Sequence, residues 1–489
     1  MKHTRRDFML TASTGIVAGL LLTRSGFALD APYKSGAKLK VRKNVVSSDA
    51  AADLKSLKAG VAAMKKLAKD SPNDGRGWIK QAFIHGDCDR FTKCQHGNWY
   101  FAPWHRSFIY YFEELVRFYS KDESFALPYW DWSRTHSVPG SFYGSGNPLD
   151  DDVSIRDICR GAPTAGRGRA AGDQFSQADL DTFVGPAVIN GIQQNPDFAT
   201  YGGANPGAGA LERTPHNFIH RWVGGTKFSN MVQTFSPLDP IFWMHHCNID
   251  RLYSNWLARS KHNPPPEAAW QKKSFNDFYD RNGNQAGSQF TCGMTVDSTV
   301  MGYVYDQALD LPMALAAAGA RARVPTTPKV LETLAATEAK VSAGVLSFLA
   351  KAPTRNSRQL MNAAVSGAER YVVRLRIEGV KTPARQNTGV HVFIGSGITP
   401  ETPISAPGYV GSFTFFDGER TEGGHDHASR TVLLDATEAL QELYGDTSLP
   451  EGQNLTVSIV TRPLYRGVEA FGSVEEVKPA SIHFDMVEL

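Results

Sequence analysis

The chain has 489 residues, a formal charge of +3, 42% hydrophobic and 21% charged side chains. That length exceeds one ordinary domain, so two or three domains and a sizeable core are expected, with ordinary soluble globular composition. Lys2, Arg5, Arg6 and Arg24 against Asp7 put the whole excess of +3 into the first 28 residues. The remainder is near neutral, and nucleic-acid binding through a basic surface has no support.

Thr4-Arg5-Arg6-Asp7-Phe8-Met9 looks like a twin-arginine motif, followed by an uncharged stretch over 8–23 and a small-residue site ending near Ala28. The stretch is too short for a membrane span. Residues 1–28 therefore read as a signal peptide for the twin-arginine export machinery, with a periplasmic or secreted destination and no stable membrane insertion after its removal. Residues 50–69 place Leu54, Leu57, Val61, Met64 and Leu67 at helical spacing. A helical segment over 77–84 ends at His85, and Pro103 opens a helix over 104–119. Gly, Pro and Asp mark loops at 138–152 and 199–209, and helices are expected at 211–223 and 240–257.

After Tyr305 the composition changes. Residues 307–365 are rich in Ala, Pro and Lys with weak periodicity, which suggests a linker with one or two helices. From Arg370 the pattern alternates, as in Tyr371-Val372-Val373-Arg374-Leu375-Arg376-Ile377 and again over 390–394 and 455–460. Short β-branched runs of this kind indicate an all-β, sandwich-like domain. The expected organisation is a signal over 1–28, a mainly α domain over 29–306, a linker over 307–365 and a β domain over 366–489.

Fourteen histidines are present, and several fall into order. His216 and His220 stand at i and i+4, so one helix face presents both imidazoles to a common point. His246 follows on the next helix, with Asp250 one turn later and placed to orient an imidazole. His96 and His105 are nine residues apart and would point in opposite directions from one straight helix. His96 must therefore come from the loop before Pro103, with His105 on the helix and His85 as a third. Six neutral imidazoles without carboxylate ligands suit copper better than hard cations. Two three-coordinate coppers would leave positions open for O2.

His96-Gly97-Asn98-Trp99-Tyr100-Phe101-Ala102-Pro103-Trp104-His105-Arg106, with Glu113 on the same helix, resembles the first copper signature of tyrosinases, catechol oxidases and molluscan haemocyanins. Asp239-Pro240-Ile241-Phe242-Trp243-Met244-His245-His246-Cys247-Asn248-Ile249-Asp250 resembles their second. Leu127-Pro128-Tyr129-Trp130-Asp131-Trp132 and Tyr303-Val304-Tyr305 are similar to further segments of the family. Ala102 stands where a larger apolar residue is usual. The resemblance implies a four-helix bundle around a dicopper centre. His85, His96 and His105 would hold the first of two copper ions, and His216, His220 and His246 the second, with His245 lining the site.

Cys94-Gln95-His96 is similar to the Cys-x-His of fungal and molluscan relatives, which implies a thioether from Cys94 to His96. The alternatives are a Cys88–Cys94 disulfide or, as in plant relatives, a thioether nearer Cys88. Glu212 and Asn217 match a pair that holds a phenol-deprotonating water in similar enzymes, and Arg221 a position tied to activity control. The implied partners are a small phenol and O2, and the implied reaction is hydroxylation of monophenols and oxidation of o-diphenols to o-quinones. Diphenolase activity alone, an o-aminophenol oxidase and a haemocyanin-like oxygen carrier are the alternatives. In such relatives a C-terminal domain often plugs the site with one side chain. Phe413, Phe415 and Phe416 are candidates, while His425 and His427 lie in a Gly-rich loop.

Overall fold

The computed structural model describes residues 38–489 apart from 161, 163–168, 170–172, 226–228, 260–261, 287–289, 308–327, 369, 386, 417–429, 445–448 and 465–470. The signal-peptide reading and the pair His425 and His427 lie outside the described residues. Helix α1, Ala51–Asp70, buries Leu57, Val61 and Met64 on one face, as its spacing predicts. It packs against α3, Phe101–Ser120. The approach is close at Gly60, where a Cβ would stand 2.9 Å from Cγ1 of Val116, so only glycine fits this crossing. Between them lies α2, Trp78–His85. Pro103 sits in the first turn of α3, where its missing N–H costs nothing, and the helix ends at Lys121 in the left-handed conformation with φ 57°.

The other two members of the bundle follow later. Glu212–His216 forms a π-helical turn containing Pro215, and it runs directly into α4, Asn217–Gly224. Proline has no N–H to donate, and the wider turn accommodates it. Helix α5, Ile241–Leu257, is buried along nearly all its length and packs on α3.

A short strand β1, Lys40–Arg42, pairs in parallel with β2, Tyr303–Tyr305, and so brings both ends of the domain together. This places Arg42, fully buried, at the centre of a polar knot. Its guanidinium donates to Glu113 at 2.7 Å, to Asp250 at 3.1 Å and to the Tyr305 hydroxyl at 3.1 Å, and lies 3.5 Å over the Tyr303 ring. Asp250 also accepts from Arg106 and from the hydroxyls of Tyr303 at 2.7 Å and Tyr305 at 2.5 Å. Both cations have carboxylate partners, the condition for burying charge without a large penalty.

The C-terminal domain is one eight-stranded antiparallel sheet in the order β7-β6-β9-β4-β3-β10-β5-β8. Its strands are β3 Lys329–Ser342, β4 Val345–Ala350, β5 Tyr371–Val380, β6 Thr388–Ile394, β7 Tyr409–Phe413, β8 Arg430–Asp435, β9 Leu455–Pro463 and β10 Ser481–Glu488. The edge strands β7 and β8 approach each other, so the sheet curls toward closure. Helices α6, Arg355–Val365, and α7, Thr437–Tyr444, share one apolar core with it through Met361, Val365 and Leu440.

The linker expected over 307–365 is thereby corrected. Residues 329–350 supply two strands at the middle of the sheet, and 355–365 a helix packed on it. Strand β3 carries several alanines and two lysines with little alternation, and its conformation is set by pairing with β4 and β10 rather than by its own propensity.

Candidate metal centre

Six of the fourteen histidines converge inside the bundle, joined by a seventh, His245. His85 ends α2, His96 comes from the loop before α3, and His105 is on the first turns of α3. His216 ends the π-helical turn, His220 is on α4, and His245 and His246 are on α5. The donor atoms of His85, Cys94, His96 and His105 all lie within 4.8 Å of one another, as do those of His216, His220, His245 and His246. The two sets meet face to face, with His105 and His246 stacked at 4.3 Å between ring centroids and His96 and His216 at 5.5 Å.

The hydrogen bonds on the far side of each ring decide what its inner nitrogen offers. Nδ1 of His85 faces the Thr234 carbonyl at 2.5 Å, Nδ1 of His105 the Phe101 carbonyl at 2.8 Å, and Nδ1 of His220 the Met231 carbonyl at 2.7 Å. A carbonyl only accepts, so Nδ1 carries the proton in each and Nε2 keeps its lone pair. Nδ1 of His216 donates to Oδ1 of Asn217 at 2.8 Å, an orientation fixed because the Asn217 amide donates to the Thr414 carbonyl at 3.0 Å. His245 is the reverse. Its Nδ1 accepts the Trp132 indole N–H at 3.2 Å, which leaves the proton on Nε2.

The inner nitrogens meet only one another, the Cys94 sulfur, which stands 3.2 Å from Nε2 of His105, or nothing at all. Nε2 of His85 and of His216 are buried without a hydrogen-bond partner, a state that is costly unless an ion completes it. Nε2 of His220 and of His246 approach to 3.3 Å. Burial lowers His85 to about 4 and His216 to about 3, so both are neutral near pH 7 and no proton competes for the lone pair. An all-imidazole donor set with a single sulfur nearby fits copper.

His96 has no carbonyl behind it. Cys94 Sγ stands 3.5 Å from its Nδ1 and 3.6 Å from its Nε2, near the plane that bisects the two nitrogens and contains Cε1. Gly97 follows with φ +66°, a conformation glycine adopts freely, and its N–H donates to Oε1 of Glu212 at 2.8 Å. Glu212 is buried, its Oε2 has no hydrogen-bond partner, and burial pushes its carboxyl up to about 7. Arg221 is buried on α4, one residue after His220.

Residues 75–164 and 166–259 match the family model described as the common central domain of tyrosinase. A tyrosinase from Hahella sp. (strain CCB-MM4) is 30% identical over 371 residues, covering 65% of this chain and 74% of that protein. The chain belongs to the tyrosinase family of type-3 copper proteins. The chloroplastic polyphenol oxidase C of Solanum lycopersicum is 26% identical over 483 residues, 91% of this chain and 73% of that one. A latent apple tyrosinase has the same fold, with a TM-score of 0.62 at 20% identity over 92% of this chain and 97% of that one. As a family member this is a dicopper protein, and the two histidine clusters fit its two ions.

The structure corrects two expectations. Asp250 orients no imidazole. It is one turn beyond His246, but its carboxylate is consumed by Arg42, Arg106, Tyr303 and Tyr305, and Nδ1 of His246 has no hydrogen-bond partner. Cys88 is bonded to Cys159, not to Cys94, across a separation of 71 residues. Both alternatives to a Cys94 thioether therefore fall away, and Cys94 is a free thiol beside His96.

Of the three phenylalanines in the C-terminal candidate stretch, one reaches the histidines. The Phe416 ring stacks on His220 at 3.9 Å and lies within 6.4 Å of His85, His96 and His216. Phe413 and Phe415 belong to the core of the β domain. The carbonyls of Thr234 and Met231, which hold His85 and His220, went unseen in the sequence because a backbone acceptor carries no residue signature.

Proposed function

We propose that this protein is a latent dicopper phenol oxidase that hydroxylates monophenols and oxidises o-diphenols to o-quinones. His85, His96 and His105 hold one copper, and His216, His220 and His246 the other. His245 is a neighbour, because its available nitrogen carries a proton. When bound, the copper pair supplies binding, polarisation and reduction of O2. The chain's own residues set the ligand tautomers, exclude water and manage the phenol proton.

The observation that carries the monophenolase reading is Glu212, a buried carboxyl beside the histidines with one oxygen uncommitted. A phenol must lose its proton to reach a metal as phenolate, although its ordinary pKa is near 10 as for tyrosine. A carboxyl raised to about 7 is matched to accept that proton near neutrality. In the closed form Oδ1 of Asn217 holds His216 and one of its two amide N–H groups is held by the Thr414 carbonyl of the β domain. Departure of the β domain frees that N–H to share a water with Glu212. Cys94 is the partner for a thioether to His96, which would fix the loop-borne ligand that lacks a carbonyl anchor. No described helix is long and apolar enough to cross a membrane, and export through the twin-arginine route belongs to this reading.

The test is oxygen uptake by the copper-loaded chain with a monophenol and with a catechol, before and after limited proteolysis. Turnover of both, increased by proteolysis, supports the proposal. Turnover of catechol alone reduces it to a diphenolase, and reversible oxygen binding without turnover after proteolysis makes the protein a carrier.

A further inference from the structure

Phe416 does more than mark a closed door, because it shows where an aromatic ring fits. Its phenyl ring stands in for a substrate ring, stacked on His220 at 3.9 Å and 24°. Around that ring are His85, His96 and His216 and one side chain with no assigned role, Phe91. Phe91 packs edge-on to His85 at 5.2 Å and 83°, approaches His96 at 4.5 Å, and meets Phe416 at 5.5 Å and 54°.

Phe91 stays when Phe416 leaves. Its loop is tied to the catalytic domain through both backbone and side chains. Gly86 and Phe91 form an antiparallel bridge, and Thr92 N–H donates to the His85 carbonyl at 3.2 Å. The Thr92 hydroxyl reaches the Phe83 carbonyl at 2.9 Å and the Ile84 carbonyl at 3.1 Å, and Cys88 is bonded to Cys159. A ring held this firmly, half-buried at the mouth of the site, is pre-organised to receive another ring.

We infer that Phe91 is a substrate-positioning residue, the aromatic wall on the first-copper side that holds the ring of a bound phenol against His220. The inference rests on the phenol-oxidase reading for the identity of the ligand, but its geometry does not depend on turnover. One such contact changes affinity by roughly three- to tenfold. Because Phe91 also touches His85 and His96, a role in holding the metal loop must be separated from a role in holding the ring.

The experiment uses full-length, copper-loaded Phe416→Ala protein as parent, with two probes. Benzoate carries a ring, whereas azide binds copper without one. Adding Phe91→Ala is expected to weaken benzoate three- to tenfold, to leave azide affinity and the stoichiometry of two coppers unchanged, and to raise KM for catechol more than it lowers kcat. Phe91→Tyr should restore benzoate binding to within twofold. Equal weakening of benzoate and azide, or loss of copper, overturns the inference by making Phe91 a support for the metal loop. Unchanged benzoate affinity also overturns it, as does a parent that binds azide but no benzoate. A parent that binds both probes yet oxidises no phenol refutes the proposed function while leaving the wall in place.

Discussion

Replacing Phe416 by alanine tests how the site is kept shut. The ring is 1% exposed and packs against four histidines and Phe91. Burial of a phenylalanine side chain contributes roughly 1.5–3 kcal/mol, and its ring contacts about 0.5–1.5 kcal/mol more. About 3 kcal/mol therefore holds the ring in place, a factor of roughly 100 in the open-to-closed ratio. A substrate that must first displace the ring loses affinity by that factor. Phe416→Ala should raise kcat/KM for catechol by about two orders of magnitude, mostly through KM. The cavity opens onto polar histidines and water, so the stability loss should fall below the roughly 3–5 kcal/mol of a sealed core. Oxygen uptake against catechol concentration, on full-length protein with its copper content measured, gives the answer. A change under threefold with both coppers retained would show that something other than this ring controls access.

Four further substitutions test the same structure. Glu212→Gln should lower monophenol turnover by roughly 10- to 100-fold, as expected for loss of a general base, while catechol turnover changes little; equal losses would make Glu212 structural. Without metal, a carboxyl raised from 4.5 to about 7 stabilises the fold below its unfolded value and loses that contribution as pH climbs to about 7. Unfolding free energies of the apoprotein in urea should therefore favour Glu212→Gln at pH 8 over pH 4.5, by roughly 3 kcal/mol. Asn217→Ala removes the acceptor that sets the His216 tautomer, and copper affinity at the second site should fall roughly 10- to 100-fold in a chelator competition. Cys94→Ser should abolish a thioether that leaves the copper-loaded, aerated wild type lighter by one pair of hydrogen atoms in intact mass; equal masses before and after aeration would refute the bond. Cys88→Ala opens the link to Cys159 across 71 residues, and the loss should be about 4 kcal/mol on the chain-entropy account.

The bundle was legible because its chemistry is local. The i, i+4 pair His216 and His220, the proline opening α3 and the histidine before it are all written within a few residues of one another. The second half of the site was legible only in part. Asp250 has the right spacing from His246, but spacing cannot reveal that Arg42, some 200 residues earlier, claims its carboxylate through the pairing of β1 with β2. The strands over 329–350 were hidden for a related reason. Alanines and lysines become a central strand when neighbours on both sides supply the ladder, and one of the two, β10, is the last strand of the chain. Cys88 found Cys159 rather than Cys94, a choice made by the fold and not by proximity.

The choice among Phe413, Phe415 and Phe416 shows how element geometry could have narrowed the reading. In an extended chain alternate residues face opposite ways. Phe413 and Phe415 share one parity and both enter the β-domain core. Ser412, Thr414 and Phe416 share the other, and all three meet the catalytic domain. The Ser412 hydroxyl donates to the Thr182 carbonyl at 3.3 Å, the Thr414 hydroxyl donates to the Arg213 carbonyl at 3.4 Å, and Phe416 covers His220. The Ser412 carbonyl accepts from Arg213 at 2.7 Å and from the Thr214 hydroxyl at 3.1 Å, and the Thr414 carbonyl accepts from Asn217 at 3.0 Å. On the other side, apart from Thr182, these contacts come from Arg213 and Thr214 in the π-helical turn and from Asn217 and His220 in α4, which continues it. One face of the 412–416 segment thus lies along the π-helical turn and α4, which carry His216 and His220. Arg213, buried with two β-domain carbonyls and the Thr214 hydroxyl as partners and no carboxylate among them, is lowered to about 9 by loss of hydration, so its contribution depends on the β domain staying docked. Lifting the strand breaks all these contacts as a set. It uncovers His220 and releases one Asn217 N–H in the same movement, so exposure of the second histidine cluster and of the Asn217 amide are controlled together.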